Sequence, residues 1–459
     1  MKFLHPLVLL LLFLSSHVAH AQGYFYFGNS NLVGTGRMVG TSKEGVWVIY
    51  GRKEQVANPF SAVAEVGEMD VKENFNLEFP LYELTFKSNQ VDGIFQEFYP
   101  EGMTKKLVNY QNGLLHGEFF EFSRQGEVLL SGAYFEGEKS GDWFVYRSDG
   151  SLKSEYSYQN NQLEGLSIAY YASGQVSERI PFENGEINGL YESFFPDGSL
   201  KQSVNFVGGQ EQGEFNQFHV DGKLAIVANF SKGILEGLWE NFDEQGRLLA
   251  RGGYFLGERT GEWKEIYPPV SNFYQKGNYK DGLKDGKWQV LGADDFVHQE
   301  ETFGEGVLLA ISEFKTRTGD KLDGGSLAEG DGKRVLYDAE GNRLEKGRYT
   351  NGLRSGTWYA YFPETNLVAR AGTYVNGQKR GTWKYYDFTG QLVSEEVFTT
   401  SSEESERTVG SPTAADSPKS RSYLPLQTTG GGMVNSQVLV TTPDGTLGIS
   451  GPGMFQRWN

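Results

Sequence analysis

A glycine recurs every 24 residues at Gly93, Gly117, Gly141, Gly165, Gly189, Gly213, Gly237 and Gly261. Gly286 follows after 25, and the pattern returns at Gly332, Gly356 and Gly381. A fixed period of this length marks a repeat array, whose units bury their apolar faces by stacking on one another.

The other positions of the repeat say what each unit is. Two residues after the anchor stands an aromatic, among them Trp143, Trp239, Trp263, Trp288, Trp358 and Trp383, with Ser167 and Arg334 as exceptions. Five residues after it stands another, as in Phe98, Phe122, Tyr146 and Tyr170. Turn glycines recur four residues before the anchor and nine after it, as Gly137 and Gly150 flank Gly141. Asp149-Gly150 and Asn184-Gly185 suit the positive φ of tight hairpin turns. Between turns, Leu152, Tyr156 and Tyr158 share parity, which is the alternation of a strand with one apolar face. Trp143 and Tyr146 have opposite parity, so either the strand is bulged there or both sheet faces carry aromatics. The expectation is an all-β fold, an elongated antiparallel sheet built from tandem 24-residue β-hairpin repeats. The eight evenly spaced anchor glycines are its structural residues.

The array has flanks. Residues 1–21 read as a signal peptide, with Lys2, an apolar run from Leu7 to Leu14, and Ala19-His20-Ala21 as the cleavage site. This predicts export to the periplasm or the extracellular space. No later segment is apolar enough to span a bilayer, so no integral membrane segment is expected in the mature chain. The chain has no cysteine, hence no disulfide and no site for an N-terminal lipid. Residues 22–85 read as an N-terminal region with degenerate repeats. Within it EGVWVIY sets Gly45, Trp47 and Tyr50 in the spacing of Gly141, Trp143 and Tyr146. Gly45 lies two periods before Gly93, and Ser61–Asn76 reads as a degenerate unit between them. Tandem repeats fill 86–291. An irregular insertion or degenerate repeat with one strand pair at most spans 292–329, and repeats resume over 330–398. Polar 399–421 reads as a disordered linker. The tail, 422–459, holds a possible hairpin of Gln437–Thr441 and Thr446–Ser450 about Pro443-Asp444-Gly445.

The run GDWFVYRSDGSL, Gly141 to Leu152, resembles the MORN-variant repeat of bacterial proteins labelled YwqK-family antitoxins. The resemblance covers Gly45 to Val397. It implies an elongated sheet of hairpins with a binding or scaffolding role, and it carries no catalytic residues to transfer.

The formal charge of −17 argues against nucleic acid and anionic lipid as partners, since both are bound through Lys and Arg. After the leader only His116, His219 and His298 remain, with no HExxH pair, so no catalytic or metal constellation is expected. The three read as surface histidines. Asp320, Asp323 and Asp331 match no calcium-loop spacing and read as a solvated loop. No cofactor is expected. The first functional reading is an exported scaffold, not an enzyme, that binds a protein partner through an extended sheet surface. The alternative is a carbohydrate- or cell-wall-binding surface protein using exposed aromatics, and a further one is an antitoxin-like inhibitor of a toxin. Trp143, Trp239, Trp263 and Trp288 are the candidate contacts with a ligand or partner. The competing reading of these rings is core packing between neighbouring hairpins.

Overall fold

The structure, a computed structural model, describes residues 24–27, 32–51, 63–66, 75–267, 272–399, 439–441 and 447–449. The expected leader (1–21) and all of the expected linker beyond Thr399 lie outside the described residues. The protein is all-β: antiparallel strands in tandem hairpins form an open sheet, with no helix among the described residues. Two compact units are present. One runs to Val176 and includes Phe182–Gly185; the other comprises Ser177–Pro181 and the chain from Glu186 onward.

One hairpin of the first unit shows the construction. Strands Val128–Phe135 and Glu138–Tyr146 meet at Glu136-Gly137, both with positive φ (50° and 90°), the twist-matched hairpin turn. Strand Leu152–Gln159 then returns across a second turn. There Arg147 N–H donates to Ser151 O at 2.9 Å and Gly150 N–H to Arg147 O at 2.9 Å. The anchor Gly141 lies inside a strand, not at a turn. Its φ of 69° and the register slip between Ser140 and Phe144 make it a bulge that only glycine adopts without strain. A second slip falls between Val145 and Tyr146. The strand is therefore bulged, and both faces also carry aromatics. Tyr170, five after its anchor, donates its hydroxyl to Glu155 at 2.6 Å, and Glu155 lies between buried Ser154 and Tyr156 on the opposite face from them.

The N-terminal reading needs one correction. Gly141 faces Tyr158, and Gly45 faces Phe86, one full repeat further along than that offset. Strand Ser42–Gly51 thus pairs directly with Tyr82–Lys87. Val63–Val66 instead pairs with Tyr24–Phe27, and Phe75 is buried against Val33. The intervening chain lacks the anchor glycine and aromatics that would hold it in the ladder.

In the second unit the disturbed stretch is more ordered than its sequence suggests. Val297–Gly304 pairs with Leu283–Leu291 in regular register, and Val307–Ile311 pairs with it in turn. A second pair, Phe314–Lys315 with Lys321–Leu322, follows. Its turn repeats the regular one: Thr316 N–H donates to Asp320 O at 2.9 Å and Gly319 N–H to Thr316 O at 3.0 Å. On the opposite rim the turns stay stacked through the break, with Gly330 N–H donating to Leu309 O at 2.9 Å and Gly352 N–H to Gly330 O at 2.8 Å. Ala310 and Ser312 stand where the anchor and its aromatic belong, which hides the unit from a pattern search. The terminal hairpin is present as Leu439–Thr441 paired with Leu447–Ile449.

Candidate functional site

The two faces of the sheet have different chemistry. On one face the tryptophans are core. A Cβ on Gly252 would stand 2.1 Å from the Trp263 ring, and the same contact joins Gly277 to Trp288 (2.4 Å) and Gly347 to Trp358 (2.3 Å). Each indole therefore lies on bare backbone of the preceding strand. A cation two residues before the anchor closes it from the other side: Arg259 at 4.4 Å from Trp263, Lys284 at 4.2 Å from Trp288, Arg354 at 4.0 Å from Trp358. Tyrosines stand edge-on between indoles, as Tyr279 does 5.2 Å from Trp288 at 88°. Where the ring is smaller, the residue beneath it is larger, as in Phe215 opposite Val204.

Among the four candidate contacts, Trp143, Trp263 and Trp288 are 0% exposed and Trp239 is 2% exposed. Lys139, Arg259 and Lys284 lie over Trp143, Trp263 and Trp288, whereas Trp239 packs on Tyr254 and stacks on Trp263 at 5.7 Å.

Arg334 occupies the place of a tryptophan, and the core is rebuilt around it. Its buried guanidinium donates to the Glu301 carboxylate and the Tyr267 hydroxyl, and to the Tyr349 hydroxyl at 3.4 Å. Tyr267 in turn donates to Glu301 Oε1 at 2.7 Å. Burial works to lower the pKa of Arg334, but the Glu301 charge and the two phenols outweigh it and hold the guanidinium protonated. Burial also drives the Tyr267 phenol well above its usual range. A second network centres on Glu265, which accepts from Gln275 at 2.8 Å and Arg259 at 3.1 Å and pairs with Lys284 at 3.0 Å. Burial lowers the pKa of Lys284, and burial together with Glu265 pushes Tyr279 up to about 12. These charges neutralise one another across strands. Chemically they form clasps.

The other face is open. The residue after the anchor is an exposed aliphatic in Val46, Ile94 and Leu166 of the first unit and in Leu190 and Leu238 of the second. Leu238 is 40% exposed beside a tryptophan that is 2% exposed. In the first unit the half-buried rings of Phe98, Phe122, Tyr146 and Tyr170 share this face. Near Leu238, the paired glycines Gly252 and Gly253 leave a shallow depression of about 390 Å³, rimmed by Arg251, Thr260, Glu262 and Lys264. An aliphatic follows the anchor in these five units, and Glu, Asp, Lys or Thr follows it in the others.

The histidines take structural places. His298 is buried, contrary to the surface expectation: it stacks 4.7 Å from Phe273, and its Nδ1 lies 2.9 Å from Lys315 O. His219 Nε2 reaches Phe242 O at 3.1 Å, and His116 packs 5.3 Å from Phe135. Asp320, Asp323 and Asp331 each bond to their own loops or the adjacent turn, to Thr318, Gly325 and Asn351. Among the described residues no group of three acidic, histidine or cysteine side chains is placed to hold a metal.

Fold and faces together define a β-hairpin repeat scaffold. The family described as MORN repeat variant matches residues 91–112, 139–160, 163–184, 187–207 and 379–399. The chain carries MORN repeat variant repeats across residues 91–399. No curated protein matches it significantly. A solved complex of TcdB2, TccC3 and Cdc42 aligns at 10% identity over 81% of this chain and 22% of that one, with a TM-score of 0.17. The Photorhabdus luminescens Tc holotoxin pore aligns at 11% identity over 79% and 21%, with a TM-score of 0.12. The chain thus spans about a fifth of each of those chains, and likeness at these scores carries no argument.

Proposed function

We propose that this is an exported, non-catalytic scaffold that binds a protein partner through the open face of its sheet. The observation that carries this reading is the exposure of the aliphatic residue directly after the anchor, as in Leu190 and Leu238 of the second unit, beside the buried rings of Tyr191 and Trp239. Exposed aliphatics among acidic neighbours are the kind of patch that partners cover. A long sheet adds many such contacts without needing chemistry at any one of them. The leader-like N-terminus supports export. The carbohydrate reading rests instead on the half-buried rings of Phe98, Phe122, Tyr146 and Tyr170, since the tryptophans are enclosed. An antitoxin-like role is one form the partner's identity takes.

The test pairs affinity capture from an envelope fraction with a glycan array. A protein captured by the native chain and lost on Leu190→Asp with Leu238→Asp supports the proposal. Saturable glycan binding that survives both substitutions, with no protein captured, overturns it.

A further inference from the structure

Among the described residues, strand Leu392–Phe398 is hydrogen-bonded along one side only. Gln378–Tyr386 pairs with it, and among the described residues no strand pairs with its other side. Leu392, Val393 and Val397 each expose half or more of their surface. An open antiparallel edge of this kind accepts one more strand through its free backbone groups.

The repeat itself specifies what that strand must carry. Gly372 faces Trp358 on one side and lies beneath Trp383 on the other. On the edge strand the equivalent residue is Glu396, which faces Trp383. An indole laid on that carboxylate would strip its water and set an electron-rich ring against a negative charge. The chain contains one worked solution. Glu301 faces Trp288 in the same register, and the Arg334 guanidinium covers it, reaching from Gly332–Tyr337 past the paired strand Val307–Ile311. Glu396 is exposed and accepts from the Tyr385 hydroxyl at 2.6 Å, which leaves its other oxygen with acceptor capacity.

We propose that the Leu392–Phe398 edge accepts an extended segment of a partner protein that lays an arginine on Glu396. This rests on the partner-binding reading above and names one place and one chemistry for it. Backbone pairing supplies the attraction, and the carboxylate selects the segment by charge.

The probe is a nine-residue peptide alternating threonine and valine with a central arginine, compared with versions carrying glutamate or tryptophan there. Binding to the full chain is read by anisotropy, and occupancy by amide exchange over Leu392–Phe398. The arginine peptide is expected to saturate and to slow exchange at the edge, with the glutamate version weaker by about tenfold or more. Glu396→Arg reverses that order. Equal binding of the three, no slowing at millimolar peptide, or an unchanged order in Glu396→Arg overturns the proposal. Edge amides already slow in the free chain also overturn it. The occupant is then a second copy if dilution restores exchange, or the chain's own C-terminal segment if truncation after Thr399 restores it. A partner captured through Leu190 and Leu238 alongside a negative peptide result leaves the scaffold standing and removes only this edge site.

Discussion

The indole of Trp143 rests on Gly132 of the neighbouring strand, so closely that a Cβ there would stand 2.2 Å from the ring. Lys139 lies 4.8 Å above the same ring, and Tyr134 and Tyr158 meet it edge-on. Eleven residues separate Gly132 from Trp143, and the pairs Gly36–Trp47, Gly252–Trp263 and Gly372–Trp383 keep that spacing. Where the ring is Phe119, the residue opposite is Val108. Ring and floor exchange volume so that their sum fills one layer.

Gly132→Val should therefore overpack the first unit and destabilise it by about 1–3 kcal/mol. Adding Trp143→Phe should recover most of the loss, reproducing the Val108–Phe119 pair. Urea denaturation of the single and double variants measures the coupling. Additive losses would show that the two sites do not share volume.

Arg334→Met leaves the Glu301 carboxylate buried without its counter-charge, and should cost about 3–5 kcal/mol. Arg334→Met with Glu301→Leu removes both charges and should restore most of that stability. A double variant no better than the single one would mean that the phenols, rather than the ion pair, hold the broken repeat together.

Tyr279 sets an alkaline limit. Its folded pKa is about 12 against an ordinary 10, so its contribution is fully present below pH 10 and is lost as pH rises toward 12. Tyr279→Phe should flatten the fall in stability across that window, read as the midpoint of thermal unfolding against pH. The same slope in both proteins would assign the fall to other groups.

Gly141→Ala forces a Cβ into a left-handed bulge at φ 69°, although the space beside it is empty. Strain alone predicts a loss of about 1–2 kcal/mol. An unchanged melting temperature would show that the bulge relaxes into ordinary backbone.

The hairpin repeat, its turns and its period were legible in the sequence, because glycine at positive φ and alternating parity are local signals. The layer that decides packing was not. Gly252, Arg259 and Trp263 form one contact, yet they lie on two strands and join only once the register is known. The four tryptophans stood out by residue type, which cannot separate an enclosed indole from an exposed one. Arg334 registered only as an exception, because its partners Glu301 and Tyr267 are distant in the chain.

Gly45 meets Phe86 as an anchor meets the strand after it, with one extra repeat length of sequence between them. Leaving the ladder by one complete period introduces no phase error on either side. For a gene built of such units, duplication or decay of a single module is a silent edit to its neighbours. The array behaves as a ruler whose marks survive when one is erased. Its reach is then free to drift between descendants, while the rule for joining two marks stays fixed.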